Sequence, residues 1–494
     1  MSIQERIQKK PWLGWLLFFV TVIIVFLIGL FSASIVERRG ESVAKLLAVK
    51  DIAEWEPRNE VWGENYPREY ESYLKTLDTN FMSKYCGSTM INYLDEYPNL
   101  VIMWSGYSFS KEYNQGRGHA HAINDERMTL RTGGVMESPQ PATCWSCKST
   151  DVPRMMAKLG AENFYKEKWI NMGPEIVNPI GCQDCHDPKT MNLRITRPAL
   201  LEALGRLGKK IENVTHNEMR SLVCAQCHVE YYFKKPDSYL AFPWDKGFSA
   251  DSMESYYDEL HFYDWVHKLS KAPMLKAQHP DYELYMTGVH AQRGVSCPDC
   301  HMPYKVEGGI KFTDHHIQSP LNNVSNSCQV CHRESEEQLL KDVYERQDKV
   351  LEIRQMAEES ITAAHLESEV AWKSGATEEM MKPVLDLLRS AQWRWDWVAA
   401  ANSVGFHSPV EALRVLGTSI QRAEKARGIL QLIFYKLNVA LPVKIPDVST
   451  KDKAQKYIGL DMQVLRKDKE EFIKTILIEW DKKAKARQGT LKKY

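Results

Sequence analysis

Ten of the 11 cysteines in this chain fall into five C-x-x-C pairs: Cys144/Cys147, Cys182/Cys185, Cys224/Cys227, Cys297/Cys300 and Cys328/Cys331, with Cys86 alone. Random placement at this cysteine frequency would yield about a quarter of one such pair, so the spacing serves a chemistry. His186, His228, His301 and His332 directly follow four of the pairs, and Lys148 follows the fifth. C-x-x-C-H is the attachment signature of c-type haem, in which two thiols bond the vinyl groups and the adjacent imidazole ligates iron. Tetrahedral zinc consumes pairs two at a time, and five leave one over. Disulfides give the histidine no role, and redox C-x-x-C motifs come singly in an alternating strand and helix setting that is missing here.

A haem with two protein ligands passes electrons and keeps no face open to a substrate. Four proximal histidines need four distal partners, and 11 of the 15 His remain to supply them. Lys148 breaks the pattern. An amine of reference pKa about 10.4 must lose its proton to bind iron, a cost without purpose in an electron carrier. A basic proximal nitrogen opposite an open distal face reads as a catalytic haem; the other reading is a surface lysine beside a haem ligated by a remote His.

Haem attachment of this kind is made outside the cytoplasm, so an export element is expected. Pro11 to Val36 is a run of 26 residues without charge, preceded by Arg6, Lys9 and Lys10. A signal-peptide core is about 7 to 15 residues long and a spanning helix about 20, so the length favours an uncleaved anchor with its basic side inside. Ser32-Ala33-Ser34 leaves signal cleavage open. Three stretches follow from this: residues 1–40 as signal anchor or signal peptide, 41–334 as a pentahaem catalytic region, and 335–494 as a helical C-terminal region.

All five motifs lie within 144–332, about 38 residues for each haem, so haem itself must form much of that core. From Ser335 the pattern turns helical. Ser335 with Gln338 forms a capping box, and Leu339, Leu340 and Val343 begin an apolar stripe. Thr377 opens a second helix carrying Met381, Val384, Leu385, Leu388 and Trp395, with Gly405 suited to its C-cap. Ser408, Pro409 and Glu411 open a third. Strand signals are scarce, so the expected fold is mainly α. Trp393, Trp395 and Trp397 read as core or subunit interface. Lys+Arg 64 against Asp+Glu 64 leaves no basic field for nucleic acid.

The order C-W-S-C-K (Cys144 to Lys148) followed by four C-x-x-C-H motifs resembles the pentahaem cytochrome c nitrite reductases that form ammonia. Blocks 117–120, 129–133, 227–233, 275–280 and 391–396 are similar to blocks of that family, and the similarity runs from about residue 50 to about residue 480. The resemblance implies a multihaem cytochrome c fold with a haem-packed core, five covalent haem c groups, and a homodimer built on the long C-terminal helices. It implies His119, His315, His407 and His290 as distal ligands for the haems of Cys224, Cys182, Cys297 and Cys328, with His121 and His316 as rivals to the first two. A substrate pocket of Arg131, Tyr231 and His279 above the Lys148 haem is implied, and so is one Ca²⁺ held by Glu230, Gln278 and the carbonyls of Tyr231 and Lys276.

The implied reaction is six-electron reduction of nitrite to ammonium on the periplasmic side of the cytoplasmic membrane, fed by a multihaem quinol-oxidising donor. Nitrite is an anion, so Arg131 and His279 suit its oxygens; an ordinary histidine titrates near working pH, which makes His279 the expected proton source and Tyr231 a helping donor. A multihaem electron carrier without its own substrate, and a hydroxylamine or sulfite reductase, are the alternatives. Cys86 fits no motif and is expected to be a small buried thiol.

Overall fold

The computed structural model describes residues 7–46 and 50–488. The chain divides into two compact units, one running to Asp51 and the other from Ile52 onward. The long helix of the first is α1 (Trp12–Leu46), in which Trp12–Val36 is apolar and exposed. At 1.5 Å per residue those 25 residues extend over about 37 Å, against about 30 Å of hydrocarbon in a bilayer, so α1 is long and apolar enough to serve as an anchor or a signal.

The second unit is mainly helical. Three long helices follow the last attachment motif: α2 (Glu336–Lys373), α3 (Glu378–Ala399) and α4 (Pro409–Lys436), packed pairwise on one another. In α2 the buried Leu339, Val343, Val350, Ala357, Ile361 and Ala364 recur at helical spacing. Ser335 accepts from the Gln338 backbone N–H, but the reciprocal half of the expected capping box is absent: Gln338 donates to Asp342 at 2.8 Å instead. Thr377 caps α3 as expected, accepting from Met380 N. Gly405 does not end α3, which stops at Ala399; its φ of 76° belongs to the turn before α4, where Val350 crowds it. Ser408 makes no side-chain cap bond, and Glu411 pairs with Arg414 at 2.7 Å rather than closing a box.

The C-terminal half of α3 is buried all round, which makes it the central helix of this layer. Trp393 donates to Ala250 O at 2.8 Å and Trp395 to Arg354 O at 3.1 Å, so these indoles are core. His365 of α2 stacks on His267 with ring centres 3.8 Å apart and bonds Gln392 of α3. Both rings are buried and their pKa values fall, so the pair is neutral and structural.

Two shorter helices, α5 (Met462–Lys474) and α6 (Ile476–Gln488), close the C-terminal end. Asp468 of α5 accepts from Val135 and Met136 N–H, and Lys469 donates to Arg127 O and Thr132 Oγ1, fixing the segment that carries Arg131. The described strands form three antiparallel hairpins: Tyr232–Lys234 with Tyr239–Ala241, Trp265–Val266 with Pro273–Met274, and Tyr304–Glu307 with Ile310–Thr313. Between residues 59 and 327 the helices are short, of 3 to 10 residues, and wrap one large cavity.

Candidate haem array and substrate pocket

The attachment loops are rigid because the residues between their cysteines work structurally. Asp184 caps its own turn by accepting from Gly181 N at 2.8 Å, and Asp299 does the same for Ser296 N at 2.7 Å. Cys224 ends a helix, His216–Ala225, opened by a complete Thr215/Glu218 capping box. Three loops are keyed together by one fully buried side chain. Arg197 donates to Ser146 O at 2.7 Å and Ser149 O at 3.0 Å on either side of Lys148, and pairs with Asp184 at 2.7 Å. Gln226 accepts from Arg197 N at 3.2 Å and donates to Asp184 O at 2.8 Å.

All ten paired cysteines line a single connected cavity of about 1540 Å³, together with Lys148 and the four histidines that follow the other pairs. The cavity brings the predicted distal histidines to the predicted proximal ones. His119–His228, His186–His315, His301–His407 and His290–His332 each have ring centres 6.3 Å apart. A metal bonded at about 2 Å to each of two imidazole nitrogens sets ring centres about 6 Å apart, so the four pairs fit haem iron. Burial pushes His119, His186 and His407 down to about 4, which leaves the neutral imidazole that a metal requires. Of the rivals, His121 is turned to the Leu77 carbonyl at 3.1 Å, and His316 lies beside His315 in the lining without a ring partner among the described residues.

His407 stands on a tight approach. A Cβ on Gly288 would overlap the His407 carbonyl oxygen. Gly288→Ala is therefore expected to cost about 1–3 kcal/mol by overpacking and to perturb the centre holding His301 and His407 while sparing the other pairs. Thermal unfolding and low-spin haem spectra of the purified variant check both effects.

The pocket residues gather at the Cys144–Lys148 loop. The Lys148 amine makes no hydrogen bond or ion pair among the described residues and lines the cavity, close enough to lower both His119 and His279 electrostatically. Arg131 lays its guanidinium on the Phe109 ring at 4.4 Å, is held by Thr129 Oγ1, and acts on the Cys144 thiol. Tyr231 stacks on Phe233 at 5.7 Å, and burial raises its pKa well above 10, so the phenol keeps its proton. The expectation that His279 titrates near working pH is corrected here. Burial holds it down at about 3, so its resting imidazole is neutral, and its Nδ1 is buried without a hydrogen-bond partner among the described residues.

Glu230, Tyr231, Lys276 and Gln278 also come together. Glu230 is fully buried, accepts from Gln278 N at 2.6 Å and from the Tyr257 hydroxyl at 3.0 Å, and burial raises its pKa well above the carboxylate range. Gln278 Nε2 lies 3.3 Å from Lys276 O, and turning that amide over would put its oxygen beside the carbonyl. One carboxylate plus neutral oxygens fits a hard cation completed by water; no cluster of three or more His, Cys, Asp or Glu suited to a metal exists among the described residues. The Lys276 amine is used elsewhere, in a buried pair with Asp396 at 2.8 Å.

Sequence reasoning missed Arg197, Phe109 and Asp281. The last lies two residues past His279, near two of the cavity histidines. Only the Asp and Gln inside the C-x-x-C pairs hinted at the Arg197 network. Cys86, expected to be a small buried thiol, is partly buried, lines the same cavity and has its thiol pKa raised by burial.

The family model for cytochrome c552 matches residues 58–490. The chain belongs to the cytochrome c552 family. Cytochrome c-552 of Porphyromonas gingivalis is 54% identical over 99% of both chains, and that of Parabacteroides distasonis is 55% identical over 97% of both. Among solved structures, the catalytic subunit of cytochrome c nitrite reductase from Desulfovibrio desulfuricans, described with two calcium sites, superposes with a TM-score of 0.74 at 33% identity. That match covers 84% of this chain and 91% of the other. Membership of the cytochrome c552 family carries covalently bound haem c, in agreement with the attachment motifs, and an oxidoreductase role in electron transfer.

Proposed function

We propose that this chain is an ammonia-forming nitrite reductase with five haem c groups, four held between the histidine pairs and one ligated by Lys148. The observation that carries the reading is the contrast inside one cavity. Four attachment sites have two imidazoles facing each other, whereas the fifth has a lone amine with Arg131, Tyr231 and His279 gathered at its loop.

A haem held at Lys148 would supply an iron centre at which nitrite could be bound and reduced, nitrite taking six electrons in all on its way to ammonium. The rest falls to side chains. Arg131, fixed against Phe109, offers paired N–H donors to the nitrite oxygens. His279 starts neutral and can donate a ring N–H; negative charge growing on a departing oxygen then raises its proton affinity, drawing a proton from solvent to where water must leave. Tyr231, held protonated, donates a hydrogen bond to the intermediates. Glu230, Gln278 and the carbonyls of Tyr231 and Lys276 would hold one Ca²⁺, adding positive charge near the anion.

The same reading places the protein on the periplasmic side of the cytoplasmic membrane, anchored by α1 or released by signal cleavage. It assigns residues 41–334 to catalysis and 335–494 to the His407 ligand and a homodimer interface on α2–α4. A multihaem quinol-oxidising protein would supply the electrons.

Purified, fully haem-loaded protein with a reduced viologen dye is expected to convert nitrite to ammonium, one ammonium for every six electrons taken from the dye. Absence of nitrite-dependent dye oxidation would overturn the proposal in favour of a carrier without a substrate. Hydroxylamine and sulfite, tested beside nitrite, define how selective the pocket is.

A further inference from the structure

Asp281 is buried, at 7% exposure, and its carboxylate is clamped by one residue: Asn402 donates its backbone N–H to Oδ1 at 2.8 Å and its side-chain amide to Oδ2 at 3.0 Å. The two oxygens point at imidazoles of two different pairs. Oδ2 lies 3.5 Å from His228 Nδ1, and Oδ1 lies 4.0 Å from His407 Nδ1, which is buried and has no hydrogen-bond partner among the described residues.

The other cavity imidazoles meet different surroundings. His186 Nδ1 faces Met191 O at 2.9 Å, His315 Nδ1 faces Thr313 O at 2.7 Å, and His301 Nδ1 faces Gln318 O at 2.8 Å, all of them neutral carbonyls. His332 Nδ1 has Glu334 at 3.9 Å, but that carboxylate is half exposed, whereas Asp281 is buried, and water screens its charge. Asp281 is thus the one buried carboxylate facing these Nδ1 atoms among the described residues.

A carboxylate behind a ligating imidazole fixes the ring and makes its ligating nitrogen a stronger donor. A stronger donor and a nearby negative charge both favour ferric over ferrous iron. We propose that Asp281 is a positioning residue shared by two haems, orienting His228 and His407 and lowering the reduction potentials of both their centres together. Each centre still exchanges one electron, ferric to ferrous, and Asp281 shifts only that equilibrium. The backbone reinforces the link: Asp281 N donates to His279 O at 2.6 Å, and Asn402 lies in the turn that leads to His407. One carboxylate therefore joins the pocket histidine segment to two electron-carrying centres. The inference rests on the haem reading of the four histidine pairs given above.

The test is an electrode-coupled spectroscopic titration, with electron paramagnetic resonance of the low-spin centres, on the haem-loaded Asp281→Asn and Asp281→Glu variants. For Asp281→Asn, two of the four low-spin centres are expected to shift about tenfold toward the ferrous form, about 59 mV for one electron, while the other two stay. Asp281→Glu, which keeps the charge, is expected to show little of that shift. No shift, or an equal shift in all four centres, overturns the proposal. Haem quantitation and the count of low-spin signals in the unmodified protein report separately on the haem reading, so its failure is not confused with failure of the role of Asp281. If Asp281→Asn does not accumulate, Asn402→Ala, which keeps the carboxylate and the backbone bond to Oδ1 but releases Oδ2 so that the carboxylate can turn, is read instead. Altered g-values at two centres only support the proposal, and unaltered g-values at all centres overturn it.

Discussion

Lys148→Ala is expected to cut ammonium production from nitrite by about 10³-fold or more, the scale on which a preorganised catalytic group shows, while the four remaining haems still accept electrons from dithionite. The expectation follows from a difference in ligand supply. Each of the other attachment motifs has an imidazole on both sides of its centre, 6.3 Å apart, and depends on no other motif for its ligands. The Cys144 motif has only the Lys148 amine, which has no partner of its own among the described residues. Under the proposed function, removing the amine removes the one proximal nitrogen that leaves the opposite face for substrate. Nitrite-dependent dye oxidation, compared with the reducible haem bands of the same sample, checks both halves. Retained turnover would show that another residue supplies the ligand.

Arg197→Ala is expected to destabilise the protein by about 3–5 kcal/mol, the cost of removing one partner from a buried pair. Arg197 is fully buried, and its loss would leave Asp184 buried at 3% exposure without its cation and would free the Ser146 and Ser149 carbonyls flanking Lys148. Arg197→Lys should recover only part of this, because an ammonium cannot span the two carbonyls and the carboxylate as a planar fork does. Denaturant unfolding of the haem-loaded proteins measures the difference. A loss below about 1 kcal/mol, the range of exposed pairs, would show that the network is dispensable.

How much of this could be read beforehand follows the physics of each part. The attachment motifs were legible because covalent chemistry demands a fixed spacing whatever the surroundings. The starts of α2 and α3 were legible because Ser335 and Thr377 cap through their own side chains, a local interaction. Gly405 misled because a positive φ suits a turn after a helix as well as a helix end, and Ser408 misled because its position is that of a cap while its hydroxyl makes no cap bond. The short helices between residues 59 and 327 carried little periodic signal, since 3 to 10 residues are too few to repeat an apolar stripe and one side of many of them faces the cavity. The pairing of the histidines was expected only through family resemblance. Arg197 and Asp281 were invisible because each gains its meaning from residues far away in the chain, and the depressed His279 comes from burial and a neighbouring amine that spacing does not disclose.

The four histidine pairs also bear on how the chain reaches its native state. Their members lie 42 residues apart for His290 and His332, 106 for His301 and His407, 109 for His119 and His228, and 129 for His186 and His315. Loop closure grows only logarithmically with length, so the widest of these loops costs about 1 kcal/mol more to close than the narrowest. That margin is too small to impose an order of assembly. Order must come from which segments fold first, and His407 stands apart because it follows α2 and α3 and precedes α4. On the proposed ligation the centre containing it is completed only when the helices before His407 have docked, so a high-spin to low-spin change there would report that docking.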